Sequence, residues 1–373
     1  MDLTDVANAR LVSQQIARTK TQTIKELVGW MGAIQAQDFP MSKLAIGSRL
    51  PGTTDQLVEA AFARGDILRT HLLRPTWHIV SADDIYWLLD LTAPQVMAAS
   101  RPRHRDLGLT EDVIAKSNAV IEKALTGGKH LTREELVSEF EKVGIATGDN
   151  RSSHILAQAE LQGLLCSGAS RAGKPTYALL EERIPRQKPI GKDEALAKLA
   201  GRYFLSHGPA TLQDFTWWSG LAVGEARRAL EMIKSEYNSE KIDSQTFWFN
   251  GEPSMPKSKG KSIYLLPAFD EFIISYTDRR ATLLDEHFSR AVSANGMFRP
   301  VIVADGQVVG LWKRTPKKGS VIVEADFFSP PDDATTNLAR QAALRIAEFL
   351  EKMLEFHPFA KIEPFRFQTN KEN

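Results

Sequence analysis

One pattern, helices followed by a β-hairpin, occurs three times in tandem along the first 250 residues. Its first copy has apolar residues at helical spacing over 7–19 and 22–35, two shorter helices around 42–49 and 54–64, and the strand-like run DILRTHLLRPTWHIV (66–80). Helices followed by a hairpin are the element order of a winged helix.

Two further copies follow the same plan. The second begins at LTREELVSEFEKVG (131–144), where Thr132 and Glu135 have the spacing of a capping box, and continues through the helix 150–165 to a Gly-rich hairpin. The third runs from the helix 193–208 through ATLQDFTWWSGL and VGEARRALEMI to the candidate wing KIDSQTFWFNG. We therefore predict tandem winged helices.

The last third of the chain has a different character. Residues 263–276, 298–314 and 319–328 are typical of strands, with Asp305-Gly306 as a hairpin turn, and a long helix over 333–356 closes the chain. The sequence predicts an α+β fold in four segments: 1–100, 101–185, 186–255 and 256–373. Pro102 is expected to stop the helix that precedes it.

Composition narrows the classes of protein that fit. The chain has 47 basic and 46 acidic residues, so any face that binds nucleic acid must concentrate basic residues locally. Its single cysteine excludes an internal disulfide, and no metal-binding spacing or complete phosphate loop is present. No apolar run is long enough to span a membrane. We expect a cytoplasmic protein without a metal, a nucleotide cofactor or a membrane partner; the sequence leaves its oligomeric state open.

The most unusual short motif is Gln35-Ala36-Gln37. Residues two apart share a face on an extended chain but not on a helix, so the two amides converge only where helix gives way to loop. Two polar residues that cap a helix end are the simpler explanation of this motif.

Two groups of residues are candidates for contacting DNA. In the first hairpin, alternation places Arg74, Thr76 and His78 on one side of a strand, with Trp77 on the other and Arg69 on the preceding strand. At the start of the second copy's recognition helix, Arg151, Ser152 and His154 are suited to phosphate. A solvated basic face, or a histidine hydrogen-bonded in the interior, fits the same residues.

Longer motifs give the chain a family resemblance from about residue 7 to 350. They are AIQAQDFP (33–40), LRPTWHIVSADD (73–84), SHGPATLQDFTWWSGL (206–221), LLPAFDEFIISYTDR (265–279) and DGQVVGLWKR (305–314). The chain resembles bacterial winged-helix DNA-binding-domain proteins whose characterised members are DNA glycosylases that unhook interstrand crosslinks and excise N7-alkylated purines.

The resemblance implies a function and a catalytic pair. Family members carry catalysis on a Gln-aliphatic-Gln or Gln-aliphatic-Asp motif, and Gln35 and Gln37 match the first branch, with the small Ala36 between them. It implies a monofunctional DNA glycosylase that acts on alkylated double-stranded DNA without a cofactor. Two alternatives stay open: a non-catalytic winged-helix DNA-binding protein or regulator, and a protein unrelated to DNA.

Overall fold

The computed structural model describes residues 1–251 and 260–363. Contacts between Cα atoms divide the chain into two compact units. One unit contains residues 20–37 and 56–251, and the other contains 1–19, 38–55 and 260–363. The predicted boundary at 255/256 lies outside the described residues, and the four-segment division stays a prediction.

The helices begin and end within a few residues of most of the expected positions. They are α1 (Leu3–Ser13), α2 (Ile24–Met31), α3 (Phe39–Gly47), α4 (Asp55–Arg64), α5 (Ile85–Asp106), α6 (Glu111–Leu125), α7 (Arg133–Lys142), α8 (Arg151–Leu161), α9 (Leu180–Arg183), α10 (Lys192–His207), α11 (Leu212–Ser219), α12 (Val223–Ile233), α13 (Glu271–Ile274), α14 (Asp285–Ala291) and α15 (Asp333–Phe349).

The strands form small sheets in the repeated part and one larger sheet near the carboxyl end. They are β1 (Ile34–Gln35), β2 (Ile67–Leu72), β3 (Arg74–Ser81), β4 (Leu131–Thr132), β5 (Leu165–Ser167), β6 (Thr176–Leu179), β7 (Asn238–Ile242), β8 (Gln245–Phe249), β9 (Ile263–Leu266), β10 (Val301–Ala304), β11 (Gln307–Pro316), β12 (Ser320–Phe327) and β13 (Met353–His357).

The three predicted copies have similar sheet topology. The first copy pairs its strands in the order β1-β3-β2, and the second in the order β4-β6-β5. In the third copy β8 pairs with β7, and a bridge between Ala210 and Trp248 takes the place of the short first strand. In each copy a short strand or bridge ahead of the hairpin pairs with the last strand of the hairpin, an arrangement typical of winged helices.

Two expectations for the repeated part are wrong. The helix predicted over 22–35 ends at Met31, because Gly32 has a φ of 76° that most other residues avoid, and the chain continues into strand β1. Pro102 does not stop a helix, since α5 contains both Pro94 and Pro102. Pro102 is exposed, so water can satisfy the carbonyl that it leaves without an intrahelical donor.

The second unit is built on a five-stranded sheet in the order β13-β12-β11-β10-β9. All neighbours are antiparallel except β12 and β13, which are parallel and joined through α15, as parallel strands require a crossover. Within this unit the buried guanidinium of Arg49 binds both carboxylate oxygens of Asp270, at 2.7 and 2.8 Å. This pair ties the segment 38–55 to the sheet unit.

Two details of this unit differ from the prediction. Of the strand expected over 263–276, only β9 forms, because the Asp270 side chain accepts a hydrogen bond from the Phe272 amide and caps helix α13. The closing helix ends at Phe349 rather than 356, and Met353–His357 returns to the sheet as β13. The expected turn at Asp305-Gly306 is present between β10 and β11.

Candidate active site on the first winged helix

The side chains of Gln35 and Gln37 meet at the hydroxyl of Thr76. Thr76 donates from Oγ1 to Gln37 Oε1 at 3.0 Å, and Gln35 Nε2 lies 3.5 Å from the same Thr76 oxygen. Gln35 Oε1 accepts from the backbone amide of Gln37 at 3.1 Å. The two amides therefore converge, on a strand and the residues after it rather than at a helix end.

Strand pairing explains this convergence. Gln35 pairs with His78 in the antiparallel register of β1 and β3, and the Ala36 amide donates to the Trp77 carbonyl at 2.7 Å. Gln35 is only 5% exposed whereas Gln37 is exposed, so the first amide is part of the interior and the second faces solvent. The next residue, Asp38, caps α3 by accepting from the Met41 amide.

Arg69 touches the motif itself. Its Nε donates to the Ala36 carbonyl at 3.0 Å, and its guanidinium lies 4.3 Å from the centre of the Trp77 ring. A guanidinium placed over an aromatic face in this way makes a cation–π contact. Trp77 therefore packs on the face of the sheet opposite Thr76, as alternation predicts.

Arg74 lies beside an aromatic side chain from the third repeat. Its guanidinium is 5.5 Å from the centre of the Trp217 ring, and Trp217 is 43% exposed. Gly220 makes the approach possible, because a Cβ at this residue would lie 2.3 Å from the Leu73 carbonyl oxygen. Arg74 and Trp217 thus bring a cation and an exposed aromatic ring together beside the strand that carries Thr76, with the Arg74 Nε and Nη2 atoms buried.

His78 is buried, unlike the other candidates in the first hairpin. Its ring has no exposed surface, and Nδ1 lies 3.1 Å from the Thr76 carbonyl oxygen. Alternation gave the correct strand side but carries no information on depth. The burial argues against a direct DNA contact by His78 and favours a role in fixing the backbone of β3.

The second group of predicted DNA contacts is largely occupied within the protein. Arg151 donates from Nε to the Ala146 carbonyl at 2.9 Å, and Ser152 is 5% exposed with its hydroxyl 3.1 Å from Arg133 Nη2. His154 packs edge to face against His104, with ring centres 5.4 Å apart. Burial, followed by the charge of Arg103, lowers the pKa of His154, which disfavours a positive charge for phosphate binding.

Helix α8 itself packs inside its unit rather than standing free. Its Glu160, 1% exposed, pairs with His71 of β2, which belongs to the first winged helix. The expected recognition helix of the second copy therefore contacts the first copy through this face. Glu160 was not singled out by the sequence, since a single acidic residue on a helix carries no motif, and Trp217 was quoted only as part of the family motif 206–221.

The described residues contain no cluster of three or more His, Cys, Asp or Glu side chains able to hold a metal ion. Over these same ranges, none of the helices combines the length and apolarity needed to cross a bilayer. The polar groups that meet at Thr76 are neutral amides and a hydroxyl. Such groups orient a water or a substrate by hydrogen bonds but do not act as strong acids or bases.

A family model described as DNA glycosylase AlkZ-like matches residues 28–353. The chain belongs to the AlkZ-like DNA glycosylase family. The match begins within α2 and includes Gln35, Gln37 and Thr76 together with the second and third winged helices. The family resemblance stated from the sequence motifs is thereby confirmed.

Two comparisons with proteins of Streptomyces sahachiroi agree with this membership. The curated interstrand DNA cross-link repair glycosylase is 26% identical over 326 residues, which cover 81% of this chain and 85% of that protein. The solved structure of the DNA glycosylase AlkZ matches with a TM-score of 0.78 and 21% identity over 95% of this chain and 99% of that one. The latter shows a shared fold.

As a member of the AlkZ-like family, the protein is a DNA glycosylase, a hydrolase of N-glycosyl bonds whose substrate is DNA. The alternative of a non-catalytic winged-helix regulator is not favoured.

Proposed function

We propose that this AlkZ-like glycosylase hydrolyses the N-glycosidic bond of N7-alkylated purines in double-stranded DNA, with a water positioned by Gln37. The observation that carries the proposal is the Thr76 hydroxyl, which lies within hydrogen-bond range of both glutamine side chains while Gln37 stays exposed. An exposed, oriented amide beside a buried supporting amide is what water positioning requires.

The chemistry of the lesion suits this neutral site. Glycoside hydrolysis ordinarily uses one carboxylic acid to protonate the leaving group and a second carboxylate nearby. A purine alkylated at N7 already carries a positive charge and leaves as a neutral base, so no acid is needed. The enzyme then has to place a water against C1′ and stabilise a sugar with oxocarbenium character.

Gln37 and Gln35 divide this work. A carbonyl oxygen has two lone pairs, and Thr76 takes one of those on Gln37 Oε1, which leaves the other for a water. The side-chain carbonyl of Gln35 accepts a hydrogen bond from the backbone amide of Gln37, at 3.1 Å. Gln37 is thus the proposed catalytic residue, and Gln35 supports it or the sugar.

The relative from Streptomyces sahachiroi, named as an interstrand DNA cross-link repair glycosylase, supports extending the proposal to crosslinks. A purine joined to the opposite strand is difficult to rotate fully out of the duplex. We therefore expect attack on a lesion that stays partly stacked, which an exposed Gln37 allows. Arg74 and, beside it, Trp217 are proposed to contact the DNA next to the lesion.

The test is a duplex that carries a single N7-methylguanine. Under single-turnover conditions we expect release of the base and an abasic site, and no release of the uncharged purine hypoxanthine from a matched duplex. The double variant Gln35→Ala/Gln37→Ala should bind the duplex but leave the lesion in place. Equal release rates for this variant and the wild type would contradict the mechanism, and duplex binding by the wild type without release would contradict the substrate.

A further inference from the structure

Arg69 reaches across the whole first sheet to contact the catalytic segment. It lies on β2, and the sheet order β1-β3-β2 places β3 between it and β1. Two strand spacings amount to about 9.5 Å, so only a long side chain connects these strands. The side chain of Arg69 crosses β3 over the Trp77 ring, 4.3 Å from its centre, and its Nε donates to the Ala36 carbonyl.

This contact acts on the peptide group that leads into Gln37. A peptide group is planar and trans, so the Ala36 carbonyl and the Gln37 backbone amide lie in one rigid plane and point in opposite directions. Arg69 holds the carbonyl end at 3.0 Å, and Gln35 Oε1 holds the amide end at 3.1 Å. Because both ends are hydrogen-bonded, the peptide plane is held in one orientation. The Cα atom of Gln37, from which its side chain extends, is therefore fixed.

Trp77, on which the Arg69 guanidinium packs, is itself held in place by further contacts. The rings of Trp77 and His71 lie 4.4 Å apart, and His71 Nδ1 contacts the carboxylate of the buried Glu160. Glu160 belongs to α8 in the second winged helix. A chain of contacts therefore runs from the second repeat, through Trp77 and Arg69, to the peptide before Gln37.

We infer that Arg69 is a positioning residue of the glycosylase, which fixes the Ala36–Gln37 peptide rather than binding a phosphate. This inference rests on the proposed role of Gln37. It replaces the expectation from the sequence that Arg69 contacts DNA, since its guanidinium is half-buried and already engaged with Trp77 and Ala36.

The two roles predict different kinetics. A phosphate contact contributes to duplex affinity. Its loss weakens binding and reduces the slope of log Kd against the logarithm of salt concentration by about one. A positioning contact leaves affinity nearly unchanged and lowers the rate of the chemical step, because a displacement near 1 Å costs about 100-fold in rate. Single-turnover rates at saturating enzyme separate these effects.

The experiment compares Arg69→Ala, Arg69→Lys and the control Arg64→Ala on duplex DNA with one N7-methylguanine. Arg64 is exposed at the end of α4 and pairs with Asp66, so its replacement removes the same charge without touching the motif. We expect Arg69→Ala to lower the saturating rate by about 10- to 100-fold with Kd within about threefold of wild type. Millimolar methylguanidinium should restore part of this rate and leave Arg64→Ala unaffected.

Arg69→Lys keeps the charge but loses the flat guanidinium and its Nε. Positioning predicts a rate near that of Arg69→Ala, and this variant carries the test if Arg69→Ala does not fold. A wild-type rate for Arg69→Lys, or a raised Kd with a reduced salt slope and an unchanged saturating rate, would overturn the inference. Failure of the proposed function is distinct, because the wild type itself would then release no base.

Discussion

The first and second winged helices share one topology but join their first strand to the next helix differently. In the second copy, Thr132 is both the last residue of β4 and the cap of α7, with its hydroxyl accepting from the Glu135 amide. In the first copy β1 ends at Gln35, and Ala36 and Gln37 precede the cap Asp38. The third copy follows the second, since Thr211 caps α11 directly after the bridge at Ala210.

This difference gives the first copy two side-chain amides that are not used to cap its next helix. A direct strand-to-helix junction uses its polar residue for the capping box, which satisfies helix amides. In the longer junction of the first copy Asp38 caps the helix, so the side-chain amides of Gln35 and Gln37 are not needed for capping. One of them, Gln37, is exposed beside Thr76.

The hairpins differ as well. The tip of the first hairpin, at Leu73, is in close contact with Gly220 from the third repeat. The tip of the second, around Gly173, has open space where a Cβ would lie. The hairpin that carries Thr76 is therefore supported at its tip by Gly220, whereas the second hairpin has open space at Gly173.

The largest expected effect separates the two junctions. Gln37→Ala should lower the single-turnover rate of N7-methylguanine release by about 100-fold, because the water loses its acceptor. Counting from the end of the short strand, Glu134 stands in the second copy where Gln37 stands in the first. Glu134→Ala is the matched control and should leave the rate unchanged; a comparable loss there would remove the distinction between the copies.

A smaller loss is expected at Thr76. Thr76→Val keeps the shape but removes the hydroxyl between the amides, and one hydrogen bond contributes about 1 kcal/mol, or roughly fivefold in rate. Thr76→Ser keeps the hydroxyl and should stay within about threefold of wild type. If the valine variant were as active as the serine variant, the convergence at Thr76 would be irrelevant to catalysis.

The comparison of hairpin tips is tested through stability. Gly220 and Gly173 have φ angles of 69° and 75°, so alanine at either position suffers similar backbone strain. Only Gly220→Ala also meets the Leu73 carbonyl, and it should lower the free energy of unfolding by about 1–3 kcal/mol more than Gly173→Ala. Urea unfolding of both variants measures this, and equal losses would show that the first tip is not supported by Gly220.

The smallest expected effect concerns pH. Burial lowers the pKa of both His104 and His154 below 6.5. The neighbouring His154 lowers the pKa of His104 further, and Arg103 and His71 lower that of His154 further. Below about pH 6.5 the unfolded chain binds more protons than the folded one, so the free energy of unfolding should fall as pH decreases from 7.5 to 5.5. The variant His104→Gln/His154→Gln should show a flatter dependence by urea unfolding at each pH, and an unchanged slope would contradict the assignment.

Several features could be predicted from local sequence because their causes are local. The capping box at Thr132 and the turn at Asp305-Gly306 depend on residues within one turn of chain, and both are present. Strand β1 could not be predicted, because two residues have no period and it exists only through pairing with β3. Strand β13 escaped prediction for the same reason, since its partner β12 lies beyond the long helix α15.

By itself the sequence determined the three repeats, the sheet-rich last third and the identity of the two amides, since periodicity, turn residues and motif spacing are properties of neighbouring residues. Only the tertiary structure decided which candidates are accessible: it leaves Gln37 exposed, buries His78, and commits Arg69 to Ala36 and Trp77. The burial of a side chain and the contacts it makes depend on residues brought together from distant parts of the chain. A local sequence pattern describes only neighbouring residues and does not include these contacts.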